Sequence, residues 1–256
     1  MTQDSTKRFS NRVENYIKYR PSYPDDLIIV LQEKGVLSYN SKIADIGSGT
    51  GIFTKLLLET GCQVLGVEPN KEMREAAEIL LKNYPNFTSI GGRSEATTLE
   101  DNSIDIITVA QAFHWFDLPT TKKEFLRILR PEGSLVLVWN ERLVEEIPFQ
   151  KEYDLLLQKY CPEYKQPSYL KISFDEIKKF FGNSKTRHFS TSNYQVFDFP
   201  SFQGRLESSS YAPTSDHPNY PKLISELKDL FDKYKIDDLV RIDYKTQMYY
   251  GRMSSD

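Results

Sequence analysis

Cysteine, histidine and tryptophan are scarce: two, three and two among 256 residues. Cys62 and Cys161 have no paired spacing, which excludes a disulfide framework and fits a reducing compartment. No Cys/His/Asp cluster stands at ligand spacing, so no metal is expected. Long apolar runs are also missing, and no stretch nears the roughly 20 residues of a membrane span. The first residues, MTQDSTKRFSNRVENY, lack the apolar centre of a signal peptide. A cytoplasmic location without membrane attachment is the expectation. Runs of Lys and Arg are absent too, the net charge is −3 and the pI is near 5.8. Such a chain offers no strong attraction to a polyphosphate backbone, so no nucleic-acid partner is expected.

What is present suits a globular domain. Hydrophobic residues make 39% and charged residues 27% of the chain, enough for a core and a wet surface. The length fits one large domain or a domain with an appended cap. Aromatics are in excess, with 16 Tyr and 15 Phe, which hints at a lined pocket and also suits core packing.

Residues 4–19 have helical spacing, with Phe9, Val13, Tyr16 and Ile17 on one face. The segment Tyr19–Pro24 (YRPSYP) stops that helix, and Pro24 suits the first turn of another over about 24–35. From 42 to 140 strands and helices alternate. The strands are expected at 42–46, 63–68, 86–91, 104–110 and 133–140, and the helices at 51–60, 71–83 and 120–129. Ile104–Ala110 is a nearly continuous apolar run, as in a strand buried on both faces. Such interleaving predicts βαβ units and a parallel sheet. Residues 141–184 read as helical with breaks at Pro162 and Pro167. Residues 185–199 are rich in β-formers, 200–221 hold a short helix and a loop, and a helix near 220–235 precedes a strand at 240–251.

The segment Asp45-Ile46-Gly47-Ser48-Gly49-Thr50-Gly51 follows a strand and opens a helix. Glycines let the backbone turn sharply and approach a ligand, and a helix start supplies free N–H groups. Glu68 ends the next strand, where a carboxylate can accept hydrogen bonds from ribose hydroxyls. A dinucleotide fingerprint would place a third glycine at position 52, where this chain has Ile52. Asp45 would also sit badly beside a pyrophosphate, but suits a cofactor carrying an amino group and a sulfonium.

DIGSGTG at 45–51, the following VEPN with Glu68, and the apolar run before Gln111 resemble the class I methyltransferases that use S-adenosylmethionine (SAM). The resemblance covers about residues 40–140. YRPSYP, Gln111–Phe116 (QAFHWF) and Val138–Asn140 (VWN) are similar to a subgroup that includes trans-aconitate methyltransferase-like proteins. SSSYAP at 208–213 and a terminal strand extend the likeness weakly to the whole chain.

The fold this implies is α/β: a Rossmann-like, seven-stranded, mostly parallel sheet with an antiparallel last strand, helices on both faces, and a helical cap over the active site. One domain would span 1–256, its core at 36–140, 185–199 and 222–252, its cap at 1–35, 141–184 and 200–221. The implied cofactor is SAM. Asp45, Gly47 and Gly49, with Ser48 and Thr50 in the same loop, would hold its methionine part. Glu68 would bind the ribose, with Pro69 and Met73 against the adenine. An acidic residue usually stands where this chain has Arg93, which cannot accept a hydrogen bond. The adenine contact would then come from backbone or from Glu95, beside Ser94. Gln111 would face the methionine end, and Tyr19 and Arg20 would fold over the cofactor, Arg20 binding a carboxylate.

His114 lies just past a strand's carboxyl end, where open α/β sheets bind ligands. It reads as a substrate hydrogen-bond partner or a general base, against a structural histidine packed beside Trp115. Trp115, Phe113 and Trp139 either line a methyl-transfer pocket, since aromatic faces attract cations, or pack the core. Tyr23, Asn140, Arg205 and Tyr211, with Ser209 and Ser210, are candidates for the substrate side of the cap, against a solvated loop. His188 and His217 read as structural. The expected partner is a small-molecule methyl acceptor, with a carboxylic acid the class the resemblance favours, and the expected state is a monomer or homodimer. Phenols, amines, macromolecules, a non-catalytic SAM-binding role and a nicotinamide oxidoreductase are the rival readings.

Overall fold

The computed structural model describes residues 13–164, 172–182 and 185–254. Its sheet has seven strands in the order β3-β2-β1-β4-β5-β7-β6. These are β1 (Lys42–Ile46), β2 (Gln63–Val67), β3 (Phe87–Ile90), β4 (Ile104–Ala110), β5 (Leu129–Arg142), β6 (Arg187–Phe197) and β7 (Val240–Arg252). β1 to β5 pair in parallel, and β7 runs antiparallel to both β5 and β6. The expected seven strands and reversed last strand are therefore present. Chain order reverses between β1 and β4, and open α/β sheets bind ligands at the carboxyl ends beside such a point.

Period-two alternation sorts the side chains. Ala44, Ile46, Ile107, Val109, Leu135 and Leu137 face α5 (Leu118–Ile128) and α7 (Phe174–Phe181). Ile43, Ile106, Val136, Val138 and Met248 face α2 (Asp26–Glu33) and α3 (Ile52–Leu58). Both sets are almost fully buried. At roughly 1.5–3 kcal/mol per buried Val, Leu or Ile, these two layers supply most of the drive to fold. α4 (Lys71–Leu80) begins at Asn70, whose side chain accepts the Met73 N–H at 2.9 Å.

A third cluster lies over the carboxyl end of the sheet. It joins α6 (Pro148–Tyr160), α8 (Phe199–Glu207) and α9 (Tyr220–Tyr234) to the first residues of β7. α1 (Val13–Tyr19) packs on α8.

The structure differs from the sequence expectation in several places. β5 starts at Leu129, directly after α5, and runs on to Arg142, because β7 continues to pair with it as far as Tyr244. α2 and α7 fall within the expected cap ranges yet pack on the sheet's two faces, since their apolar stripes match those faces. Phe9 and Pro167 lie outside the described residues. No helix among the described residues is long and apolar enough to cross a membrane.

Candidate functional site

A cavity of about 190 Å³ opens at the carboxyl ends of β1, β2 and β4. Gly47 and Gly49 form one wall, Glu68, Pro69, Asn70 and Met73 another. Arg93, Ser94 and Glu95 close one side, and Gln111, Trp115 and Phe116 the other.

The glycine loop is shaped by backbone geometry. Gly47 and Gly49 have φ of +71° and +57°, a region costly for residues with a Cβ. A Cβ on Gly47 would lie 2.5 Å from the Ala112 Cβ, whereas one on Gly49 would meet no protein atom within 4 Å. Gly47 thus lets two loops touch, and Gly49 presents bare backbone to the cavity. Gln111 also has a left-handed φ, +57°. A non-glycine residue is rarely held so, and the strain, of order 1–3 kcal/mol, marks the turn out of β4. The Gln111 Nε2 donates to the Asn140 carbonyl at 3.0 Å, which locks this turn to β5.

Glu68 joins the parts. Its Oε2 accepts the Gly49 N–H at 3.0 Å and its Oε1 the Asn70 N–H at 2.9 Å. Burial raises its pKa, and these two bonds with the nearby Arg74 charge oppose the rise. A carboxylate so held keeps lone pairs to spare for hydroxyl donors in the cavity. Asp45 sits beneath the loop, 1% exposed, accepting from Thr54 Oγ1 at 2.6 Å and Thr108 Oγ1 at 2.8 Å. Burial pushes its pKa up to about 6, against the two hydroxyl bonds. It braces the loop from below and does not line the cavity.

Nine of the sequence candidates line the cavity: Gly47, Gly49, Glu68, Pro69, Met73, Ser94, Glu95, Gln111 and Trp115. Ser48 and Thr50 belong to the loop but do not face it. Ser94 is buried and accepts from Thr121 Oγ1 at 3.1 Å, while Glu95 accepts the Asp117 N–H at 3.3 Å. Asn70, Ala112 and Phe116 were not singled out from sequence. Asn70 carried one available signal, a helix-capping side chain before the apolar helix at 71.

His114 occupies a short 3-10 turn after β4, its ring 4.9 Å from that of Trp115. Burial lowers its pKa to about 4. Phe113 and Trp139 are buried in the sheet-face core with their rings 6.0 Å apart, away from the cavity. Asn140 is a brace: it donates to the Ser22 carbonyl at 3.1 Å and accepts from Thr246 Oγ1 at 2.6 Å.

The YRPSYP segment runs across the sheet's carboxyl end. Arg20 donates to the Ser208 carbonyl at 3.0 Å and to Ser209 Oγ at 3.4 Å. The Tyr19 carbonyl accepts from Gln195 at 3.1 Å, and its ring lies on Gly204. Tyr23 packs edge-on against Phe53, centroids 4.9 Å apart. Arg205 is buried within the cap, and Tyr211 packs edge-on against Tyr164 at 4.8 Å. His188 stacks on Tyr249 and bonds Gln247, and His217 accepts the Asn219 N–H.

The chemistry of this donor set suits a nucleoside bearing an amino-acid arm. Bare loop backbone, the Glu68 carboxylate and an apolar slot beside Met73 and Pro69 all open on one space. Comparison with known proteins agrees. Residues 44–137 match the methyltransferase domain family. An uncharacterized methyltransferase-like protein of Schizosaccharomyces pombe is 26% identical, covering 96% of each chain. A Dictyostelium discoideum protein, provisionally named a methyltransferase, is 31% identical over 72% of this chain and 70% of its own. A solved structure from Anaeromyxobacter dehalogenans, provisionally described as a type II methyltransferase, superposes with a TM-score of 0.67. It is 20% identical and covers 91% of this chain and 98% of its own.

Proposed function

The chain belongs to the class I methyltransferases that use SAM, and on that footing we propose that it methylates an oxygen of a small carboxylic acid. The observation that carries this reading is the lining of the cavity, which among the described residues holds no imidazole or ammonium group; His114 lies outside it, on the adjoining turn. Burial holds His114 near a pKa of 4, so it is neutral at physiological pH and a weak proton acceptor. A phenol, with a pKa of about 10, would pass its proton to it uphill by roughly six units, about 8 kcal/mol. A carboxylic acid enters already ionised and needs no base. The finer resemblance of YRPSYP, QAFHWF and VWN to trans-aconitate methyltransferase-like proteins supports an acid as well.

In this reading Gly47, Gly49 and Gln111 hold the methionine arm, Glu68 the ribose hydroxyls, and Pro69, Met73, Ser94 and Glu95 the adenine. Bound there, SAM would supply an electrophilic methyl group, which an ionised acceptor oxygen would take through a new C–O bond while the C–S bonding pair stayed on sulfur, with no proton to remove. The chain's task is alignment, which supplies roughly 7–11 kcal/mol of a barrier in favourable cases. Trp115 and Phe116 shield the cleft from water, and neutral His114 donates or accepts one orienting hydrogen bond. Tyr19, Arg20 and Tyr23 close the cofactor side, and Arg205 and Tyr211 belong to the acceptor side.

The test is a panel of small acids, phenols and amines incubated with isotope-labelled SAM, with products identified by mass. Methyl esters are expected. Methylated phenols or amines in place of esters would overturn the acid reading.

A further inference from the structure

A second and larger cavity lies at the opposite end of the sheet from the candidate site. It measures about 740 Å³, within the range of small-molecule sites, roughly 300–1,000 Å³. Its floor lies where β1, β4 and β5 begin and β7 ends. Along β4, six residues separate Asp105 on this floor from Gln111 in the candidate site. That is roughly 20 Å at strand rise, so the two cavities are separate.

Five cationic side chains line it: Lys34, Arg130, Lys185, Arg187 and Arg252. Two carboxylates stand among them, and each is taken: Asp105 pairs with Arg130, and Glu132 with Arg252. Asp105 also accepts the Lys42 N–H at 2.8 Å. Among the described residues, Lys34, Lys185 and Arg187 have no ion-pair partner. These cations come from distant stretches of the chain, so no run of Lys and Arg announces them.

The fold brings them together. Arg187 stands opposite Tyr250 in the β6–β7 ladder, and a Cβ on Gly251 would lie 2.7 Å from the Lys185 carbonyl oxygen. Lys185, Arg187 and Arg252 therefore meet where β6 begins and β7 ends. Like charges on adjacent strands repel, and an anion among them removes the repulsion. A concave wall lined by one sign of charge also concentrates counter-ions. The cavity reaches from Lys34, at the end of α2, across the sheet to Arg187 on its edge strand. Neighbouring strands lie about 4.8 Å apart, so no single small anion touches all of the unpaired cations. An occupant that satisfies them carries several anionic groups in a row. Phosphate groups suit this wall, because each offers several acceptor oxygens and guanidinium meets them as a fork. Ser38, Asn40 and Ser134 add neutral hydrogen-bonding groups beside the cations.

We propose that this cavity is a second ligand site, and that it binds a small molecule carrying a chain of phosphate groups, as an inorganic polyphosphate or a nucleotide does. The site owes nothing to the methyl-transfer reading.

The experiment is calorimetry with magnesium-free tripolyphosphate, ATP and orthophosphate at matched ionic strength. The full chain is first saturated with S-adenosylhomocysteine, which keeps adenine compounds out of the other cleft. Tripolyphosphate, which has no base, is also titrated into the chain alone, so a failure of the transfer reading leaves this test intact. Tripolyphosphate and ATP should each saturate one site, at least about tenfold more tightly than orthophosphate. Tighter binding of ATP points to a nucleotide, and tighter binding of tripolyphosphate to an inorganic chain; either supports the site. Lys185 and Arg187 are exposed, so Lys185→Gln and Arg187→Gln should keep the melting temperature and the S-adenosylhomocysteine affinity of wild type. Each should weaken tripolyphosphate binding about three- to fivefold, and the two together at least about tenfold. Lys34→Gln, on a different element, should weaken it as well and repeats the test independently of β6. No saturable heat, tripolyphosphate binding no tighter than orthophosphate, or wild-type binding by the folded variants overturns the proposal.

Discussion

The Glu68 carboxylate accepts the Gly49 N–H at 3.0 Å, tying the end of β2 to the glycine loop that leaves β1. The other oxygen of the same carboxylate accepts the Asn70 N–H at the start of α4. One buried side chain therefore sets the mutual position of three elements that line the cavity. In the proposed reading the same group would both recognise a ribose and hold the shape of the loop.

The two loop glycines should fail in different ways. At Gly47 a methyl group would meet Ala112 at 2.5 Å, so Gly47→Ala should lower the melting temperature and disturb the 111–116 turn. At Gly49 an added Cβ meets nothing within 4 Å, and the cost to the fold is the left-handed φ, about 1–2 kcal/mol. Gly49→Val should therefore stay folded and lose S-adenosylhomocysteine affinity by at least about tenfold. Calorimetry and thermal melts on both variants check this. Normal binding by Gly49→Val would remove the loop from the cofactor site.

Asp45 makes stability depend on pH with an unusual sign. Its folded pKa, about 6, lies above its ordinary 3.8 because burial disfavours the charge. The folded state binds the proton more tightly, so the contribution is full below 3.8 and lost as pH rises through 6. The loss amounts to about 3 kcal/mol at most. Asp45→Asn, which stays neutral, should gain on wild type between pH 4.5 and 7.5 in urea denaturation. An unchanged difference between the two pH values would mean that Asp45 titrates normally.

His114 works in the opposite direction. Burial places its folded pKa, about 4, below the ordinary 6.5. The folded state prefers the neutral ring, so this contribution is complete above 6.5 and lost as pH falls towards 4. Wild type should lose more melting temperature than His114→Gln between pH 7.5 and 4.5. Asp45 is common to both proteins and cancels.

The same shift shapes catalysis. With the ring neutral throughout, kcat/KM for an acid acceptor should show no inflection from His114 near pH 6.5, so wild type and His114→Gln should share one pH profile. His114→Gln retains a donor and should raise KM a few-fold more than it lowers kcat. A loss of about 10²–10⁴-fold in kcat would instead identify a general base.

The order of elements was written in the sequence because it depends on local terms. Period-two apolar runs such as Ile104–Ala110 form strands, Pro24 and Asn70 mark helix starts, and left-handed turns select glycine at 47 and 49. Much of the cavity wall was legible for the same reason: Glu68 and Gln111 end strands, and strand ends converge at the switch point of a parallel sheet. Other matters were decided only by packing between distant segments. Asp45 reads as a ligand contact, but Thr54 and Thr108 enclose it. Trp139 reads as a pocket aromatic, but Phe113 and Tyr249 pack against it in the core. α7 reads as cap, but Phe180 and Phe181 bury against the sheet. Nothing in the spacing of Tyr153 and Arg205 predicts that they come close enough to interact, since 51 residues separate them in sequence. Burial and electrostatics are sums over neighbours, and for these residues the neighbours come from other elements of the fold.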